Sequence, residues 1–457
     1  MRKVCCLLAG AVLASSGASE GVQAETLDDV LVSAYVSNPT LLARRARLRA
    51  TDESVPQALA NWRPTVTLSG NAGKGQYFSN VATNIDQTRT PRDYSMSLSQ
   101  PLYRGGRTTA ATAQAENTVL AERALLDASE QSILLNAATA YLNVVRDEQV
   151  LKLSVNNEQV LRRQLDAAQE RFRVGEITRT DVSQAEARLA RATADRVATE
   201  GTQQNSRANY INLIGHPPEN PQAPAKAVAV PSSLDEANAL ALAKNPNVVA
   251  ADYTYKAAVD GVDLVHGELL PTVAATGKYT RALHESSLSS ETETKEALLT
   301  LSVPIYEAGA VYSRLRAQKH TAGQRRIEAD QTRRDALETT TRAWEDVQSA
   351  RARMRSFETQ IRASELALAG VEEEAKVGSR TVLDVLDAEQ ELFDARVNLV
   401  RAQRDHMVAI FQLRSGLGQM TASALALPVE IYDPVKHYDD VRGQWIGSGI
   451  DKEKGYE

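Results

Sequence analysis

The chain has 457 residues and a formal net charge of −6, with 24% charged and 43% hydrophobic residues but only 5% aromatic ones. This balance excludes a disordered chain, and its acidic sign argues against nucleic acid as a partner. Beyond the N-terminal segment no apolar run approaches the ~18 residues of a membrane-spanning helix, so any membrane contact falls to strands or to an amphipathic surface.

Residues 1–24 read as a secretory signal. Arg2 and Lys3 precede an apolar run from Val4 to Ala14, and Val22-Gln23-Ala24 has the small-x-small form of a cleavage site. Cleavage is expected after Ala24. The only cysteines, Cys5 and Cys6, lie in this segment, so the mature chain would carry no disulfide.

The remainder is written twice. Phe172-Arg173-Val174-Gly175-Glu176-Ile177-Thr178-Arg179-Thr180-Asp181-Val182 returns 203 residues later as Ala375-Lys376-Val377-Gly378-Ser379-Arg380-Thr381-Val382-Leu383-Asp384-Val385. Pro101 and Tyr103 return as Pro304 and Tyr306, and Gly215 as Gly418. A unit this long is no solenoid repeat, whose period is about 20–50 residues. It signals one architecture with internal pseudo-symmetry, repeat 1 over 25–215 and repeat 2 over 232–428.

Each repeat opens with a short amphipathic helix, Leu27 to Ser37 and Leu234 to Lys244, closed by Asn38-Pro39 and Asn245-Pro246. A second helix follows, over about 40–61 and 247–270, and is stopped by Pro64 and Pro271. Strand periodicity comes next. Val66 and Leu68 alternate with Thr65, Thr67 and Ser69; Tyr94, Met96 and Leu98 alternate with Ser95, Ser97 and Ser99. In repeat 2, Val273, Ala275 and Tyr279 alternate with Thr272, Thr276 and Lys278, and Leu299, Leu301 and Val303 with Thr300 and Ser302. One β-hairpin per repeat is expected, over about 64–103 and 271–306, each with an apolar and a small polar face. Trp62, Tyr103 and Tyr306 at the strand ends suit either a membrane interface or simple packing.

The longest proline-free stretches, 107–172 and 311–375, predict helical rods of roughly 100 Å. Val-Gly turns interrupt them, and shorter helices return over 180–214 and 382–417, with Gly215 and Gly418 placed as C-terminal caps. Residues 216–231 hold five prolines and read as a stiff linker. The stretch after Pro428, 429–457, reads as a polar, partly disordered tail.

A sheet facing lipid must close, because hydrocarbon does not tolerate open edges, and the smallest usual barrel has eight strands. Four strands per chain therefore require at least two chains, leaving dimer and trimer both open. A periplasmic adaptor or an exported coiled-coil protein would also use long helices, but would leave the apolar strand faces unexplained.

The order helix, hairpin, long helix, Val-Gly turn and helix, occurring twice, resembles the TolC family of outer-membrane efflux and secretion channels over about residues 25–428. Val377-Gly378-Ser379-Arg380-Thr381-Val382-Leu383-Asp384-Val385-Leu386-Asp387-Ala388 is the most specific part, with its echo at 174–185. The resemblance implies a mainly α fold with a β-barrel contribution. Long antiparallel helical hairpins would form an α-barrel in the periplasm, and four strands per chain would enter a shared twelve-stranded barrel in the outer membrane of a Gram-negative bacterium. It implies a homotrimer, no enzyme activity and no cofactor. The implied partners are outer-membrane lipid, a periplasmic adaptor (membrane fusion) protein and an inner-membrane transporter of the RND or ABC type.

Candidate site residues cluster at the second turn. Asp384 and Asp387 lie three apart on one helix face. Asp384 also fits a capping box with Thr381, as Asp181 does with Thr178, whereas Asp387 replaces Gln184 and is not required by the repeat. The resemblance implies that Asp384 and Asp387 line the periplasmic entrance as a cation-selective ring. It further implies gating links in which Arg380 faces Thr180 and Asp181, and Gln164 faces Glu372. Where well-known family members carry a tyrosine this chain has Ala375, so one latch contact is missing. The turns at Val174-Gly175 and Val377-Gly378 are the expected adaptor-docking sites. The six histidines form no metal-ligand spacing, and no catalytic motif is present.

Overall fold

The computed structural model describes residues 25–79, 85–223 and 230–449. The expected signal segment and most of the second half of the proline-rich linker lie outside these. Repeat 1 runs α1 (Leu27–Ser37), α2 (Pro39–Asp52), α3 (Ser54–Leu59), β1 (Thr65–Ala72), β2 (Gly75–Ser79), β3 (Ile85–Arg89), β4 (Arg92–Arg104), α4 (Arg107–Arg173) and α5 (Arg179–Ile214). Repeat 2 runs α6 (Leu234–Lys244), α7 (Pro246–His266), β5 (Thr272–Leu283), β6 (Glu291–Ser302), α8 (Ala310–Lys376) and α9 (Val382–Gly416), and α10 (Lys436–Arg442) follows.

Asn38 and Asn245 cap the helices that follow them, each side-chain oxygen accepting from the N–H of the residue after the proline, Thr40 and Asn247. The helix expected over 40–61 is broken. Pro56 has no N–H to offer the carbonyl of Asp52, so α2 stops there and α3 forms a separate turn. Repeat 2 has no proline at this point, and α7 runs on unbroken into a short 3-10 turn.

Four strands form one antiparallel sheet in the order β1-β4-β5-β6, while β2 and β3 pair separately as a short ribbon beyond it. The register puts Val66 beside Leu98, Leu68 beside Met96, Met96 beside Tyr279, and Ala275 beside Leu299 on one face. That face is open: Leu68 is 82% and Leu299 72% exposed. The other face carries a Ser/Thr ladder, with Ser69 Oγ 2.7 Å from Ser95 Oγ and Asn71 Nδ2 donating to Asp93 at 2.9 Å. The register shifts between Pro101 and Tyr103, where a residue lacking an N–H is accommodated. Within the protomer β1 and β6 each have one free edge.

The two 67-residue helices α4 and α8 span about 100 Å each. Helix α7 packs between them, α5 lies along α4, and α9 along α8 and α4. Ala322, Ala329, Ala336, Ala343 and Ala350 are all buried, seven residues apart on α8; Ala395, Ala402 and Ala409 repeat the interval on α9. A seven-residue period keeps one seam facing its neighbour only if the helices supercoil left-handed, and alanine lets the backbones approach closely.

The largest apolar core joins α1, α2, the middle of α4, and the C-terminal ends of α5 and α9. Leu31, Leu41, Leu48, Tyr141, Tyr210 and Met420 are fully buried there, each worth about 1.5–3 kcal/mol in area removed from water. Within it the Tyr210 hydroxyl donates to the buried Glu25 carboxylate, which also accepts from the Glu219 N–H at 3.0 Å. The stretch after Pro428 differs from the irregular tail expected. Helix α10 packs on α2 and α3, His437 Nδ1 lies 3.2 Å from Asp52 Oδ2, and Arg442 pairs with Glu116 at 2.9 Å. Its polar composition hides these pairings, which involve residues more than 300 positions away.

The alanine seam generates a test. Ala343→Leu should force α8 away from its neighbours and cost about 1–3 kcal/mol, read as a lower urea midpoint for loss of helical circular dichroism. An unchanged midpoint would mean that the seam is not closely packed.

Candidate functional site

At the end far from the sheet, α4 turns into α5 and α8 into α9. Both turns need a left-handed residue and both place glycine there, Gly175 at φ +83° and Gly378 at φ +79°. The Glu176 N–H reaches back to the Arg171 carbonyl at 2.9 Å, and the Ser379 N–H to the Glu374 carbonyl at 3.0 Å, closing the last turns of the long helices. The turn valines stand clear of the protein, Val174 at 78% and Val377 at 80% exposed.

The returning helices start on matched capping boxes. Asp181 accepts from the Thr178 N–H at 2.9 Å and hydroxyl at 2.8 Å; Asp384 accepts from the Thr381 N–H and hydroxyl at the same distances. The local reading of Asp384 therefore holds. Hydrogen bonds from the Thr381 N–H and then its hydroxyl, with Arg380 nearby, hold the Asp384 carboxyl below its ordinary value of 3.8. A depressed folded value means that this contribution is present above the ordinary carboxylate value and disappears only as pH falls through the lower folded one.

Within the protomer Arg380 does not pair with Thr180 or Asp181. Its Nε lies 2.9 Å from Glu374 Oε2 and its Nη1 4.0 Å from Asp384 Oδ1. The first turn carries a counterpart in Arg171, 2.6 Å from Glu176. Each turn is thus stapled by its own ion pair, with the charge inverted between Arg171 and the equivalent Glu374. Thr180 is exposed in the first turn of α5. No hydrogen bond joins Gln164 to Glu372; instead Glu372 lies near Glu389 of α9, as does Arg163, the neighbour of Gln164. Burial first, then repulsion from Glu372, pushes the Glu389 carboxyl up.

The two tips are joined to each other. Leu386 of α9, only 1% exposed, is buried with Leu161 and Ala168 of α4 and Ala185 and Ala192 of α5. Beside it Arg188 of α5 reaches Asp387, Nη2 to Oδ1 at 2.5 Å. Sequence reasoning singled out Asp387 but missed Arg188. The signal was available: 203 residues on, Arg188 corresponds to Glu391, so the copies differ in charge at 188 as well as at 184. Among the described residues no cluster of three His, Cys, Asp or Glu is placed to hold a metal ion within one protomer.

Among the described residues no helix is long and apolar enough to cross a membrane, and the exposed apolar surface lies instead on the sheet. Helical hairpins about 100 Å long, crowned by a half-apolar sheet with two free edges, define the class: a channel-forming protein whose membrane part is β-sheet. The outer membrane efflux protein family model matches residues 30–216 and 238–419, once over each repeat. The chain is 35% identical over 444 residues to the outer membrane efflux protein BepC of Brucella suis, covering 96% of both chains. It is 25% identical to the outer membrane protein TolC of Escherichia coli, covering 95% of this chain and 90% of that one. The crystal structure of the outer membrane protein VceC of Vibrio cholerae superposes with a TM-score of 0.76 at 20% identity, covering 86% of this chain and 96% of the other. The chain belongs to the outer membrane efflux protein family, the TolC family. It is a protein of the outer membrane reaching into the periplasm, an export duct and not an enzyme.

Replacing Thr381 with alanine should speed hydrogen exchange severalfold over residues 377–386 while leaving 174–183 unchanged, and Thr178→Ala should do the reverse. Equal effects on both segments would show that the tips do not fray independently.

Proposed function

We propose that three copies of this chain close one barrel of twelve strands and one helical tunnel, and that the tunnel exports drugs, detergents or secreted proteins. The observation that carries this reading is the sheet: β1 and β6 have free edges and an exposed apolar face between them. In lipid such edges must find partners in other copies. An inner-membrane transporter of the RND or ABC type would supply the energy, coupled through a periplasmic adaptor that docks on the exposed Val174-Gly175 and Val377-Gly378 turns. Crosslinked, detergent-extracted protein should migrate as a trimer, and a strain lacking it should lose resistance to detergents and drugs or lose secreted protein. A dimer, or a strain altered in neither respect, would overturn the reading.

The entrance lies at the tips. Asp384 and Asp387 of three copies would set six carboxylates around one constriction, favouring cations. Arg380, held by Glu374 in the separate protomer, is the latch that would exchange toward Thr180 and Asp181 of an adjacent copy, with Gln164 and Glu372 as the second link. Exposed ion pairs are weak, about 0–1 kcal/mol each, which suits a gate that adaptor binding must open. Replacing Asp384 and Asp387 together with alanine should reduce cation preference in planar bilayers severalfold. Unchanged selectivity would remove both from the entrance.

A further inference from the structure

We infer that Arg188 is a selectivity-determining residue of the entrance, acting as the built-in counter-charge of Asp387. The inference rests on the reading that Asp387 lies on the ion path. Arg188 sits seven residues after Asp181, two helical turns along the same face of α5, and its guanidinium reaches Asp387 Oδ1 at 2.5 Å. The pair straddles the two repeats, since α5 closes the first and α9 closes the second. It is held in register by the buried contact of Leu386 with Ala185, beside Val182 and Leu189. The Arg188 side chain is 27% exposed and that of Asp387 57%, so the arginine is the better anchored partner and the carboxylate the one that faces solvent.

The charge balance around α9 makes this consequential. Asp384 and Asp387 stand three apart and repel each other. Asp384 is occupied by its capping hydrogen bonds, and the nearby cation Arg380 is shared with Glu374. Arg188 is therefore the cation that offsets Asp387. Removing Arg188 makes this end of each protomer one charge more negative. An ion pair this exposed is too weak to hold helices together by itself. An added negative charge per protomer around a narrow ring acts directly on the occupancy of permeating ions. The pair accordingly sets selectivity, and the buried Leu386 contact keeps the tips joined.

The test is the reversal potential of the purified trimer in planar bilayers under a potassium chloride gradient, with block by lanthanum ions added on the tip side as a second readout. Arg188→Gln should raise the cation-to-anion permeability ratio and the apparent affinity for lanthanum severalfold. Arg188→Lys should retain wild-type values, and Arg188→Gln combined with Asp387→Asn should return to them. Each variant is first checked for trimer migration and helical content, and Arg188→Lys keeps the test informative if the glutamine form assembles poorly. If Asp387→Asn moves both readouts while Arg188→Gln moves neither, Arg188 is no counter-charge and this inference fails alone. If neither variant moves them, Asp387 is off the ion path and the entrance reading fails with it.

Discussion

The constraint on which the rest depends is the unsatisfied backbone of β1 and β6. A strand edge in hydrocarbon leaves N–H and C=O groups with no partner, at several kcal/mol each. The exposed face carrying Val66, Leu68, Met96, Leu98, Leu299 and Leu301 would in turn be costly in water. Neither demand can be met by one chain with four strands. Closing the sheet across copies would meet both, and would gather the helical hairpins hanging from it around one axis. On that reading the membrane end dictates the assembly of the helical end.

The helical end needs a different device, since rods of 67 residues must stay side by side without a thick core. The alanine seams on α8 and α9 supply it. Small side chains every seventh residue bury backbone against backbone along the rod, and the polar faces around them remain free for solvent, a lumen or another copy. Large side chains are concentrated where α1, α2, α4, α5 and α9 meet, around Tyr141 and Tyr210. Helix α10 pairs with α2, α3 and α4 on the sheet side of that core. The protomer is braced in its middle and light toward its tips, so the tips are where movement costs least.

What was legible in the sequence was local. Proline and asparagine mark the starts of α2 and α7, glycine with positive φ marks both tip turns, and Thr-x-x-Asp marks the caps of α5 and α9, because each of these signals works through backbone atoms within a few residues. Strand faces were legible because alternation at Val66, Leu68, Met96 and Leu98 maps directly onto a pleat. Pro56 marks the break between α2 and α3 by the same local logic, although the sequence on either side of it reads as one helix. What failed was long-range pairing: α10 with α2, and Arg188 with Asp387, separated by 199 positions. No periodicity encodes such a pair. The Arg380–Glu374 contact is local instead, but two long, exposed side chains six residues apart across a glycine turn follow no helical spacing that would mark them as a pair.

The duplication makes the remaining asymmetry informative. Where the copies agree, at Thr178 with Thr381, Asp181 with Asp384 and Gly175 with Gly378, they agree on what any such hairpin needs in order to turn and restart a helix. Near the tips, three of the places where they differ change charge. Ile177 is packed while Arg380 is exposed and charged; Gln184 is neutral while Asp387 is acidic; Arg188 is basic while Glu391 is acidic. The capped turn itself does not require these three differences, because the first copy turns without them. One of them sets a cation of α5, Arg188, against an acid of α9, Asp387. A structure built twice for mechanical reasons is unequal in charge at its tips, the end where the proposed entrance lies.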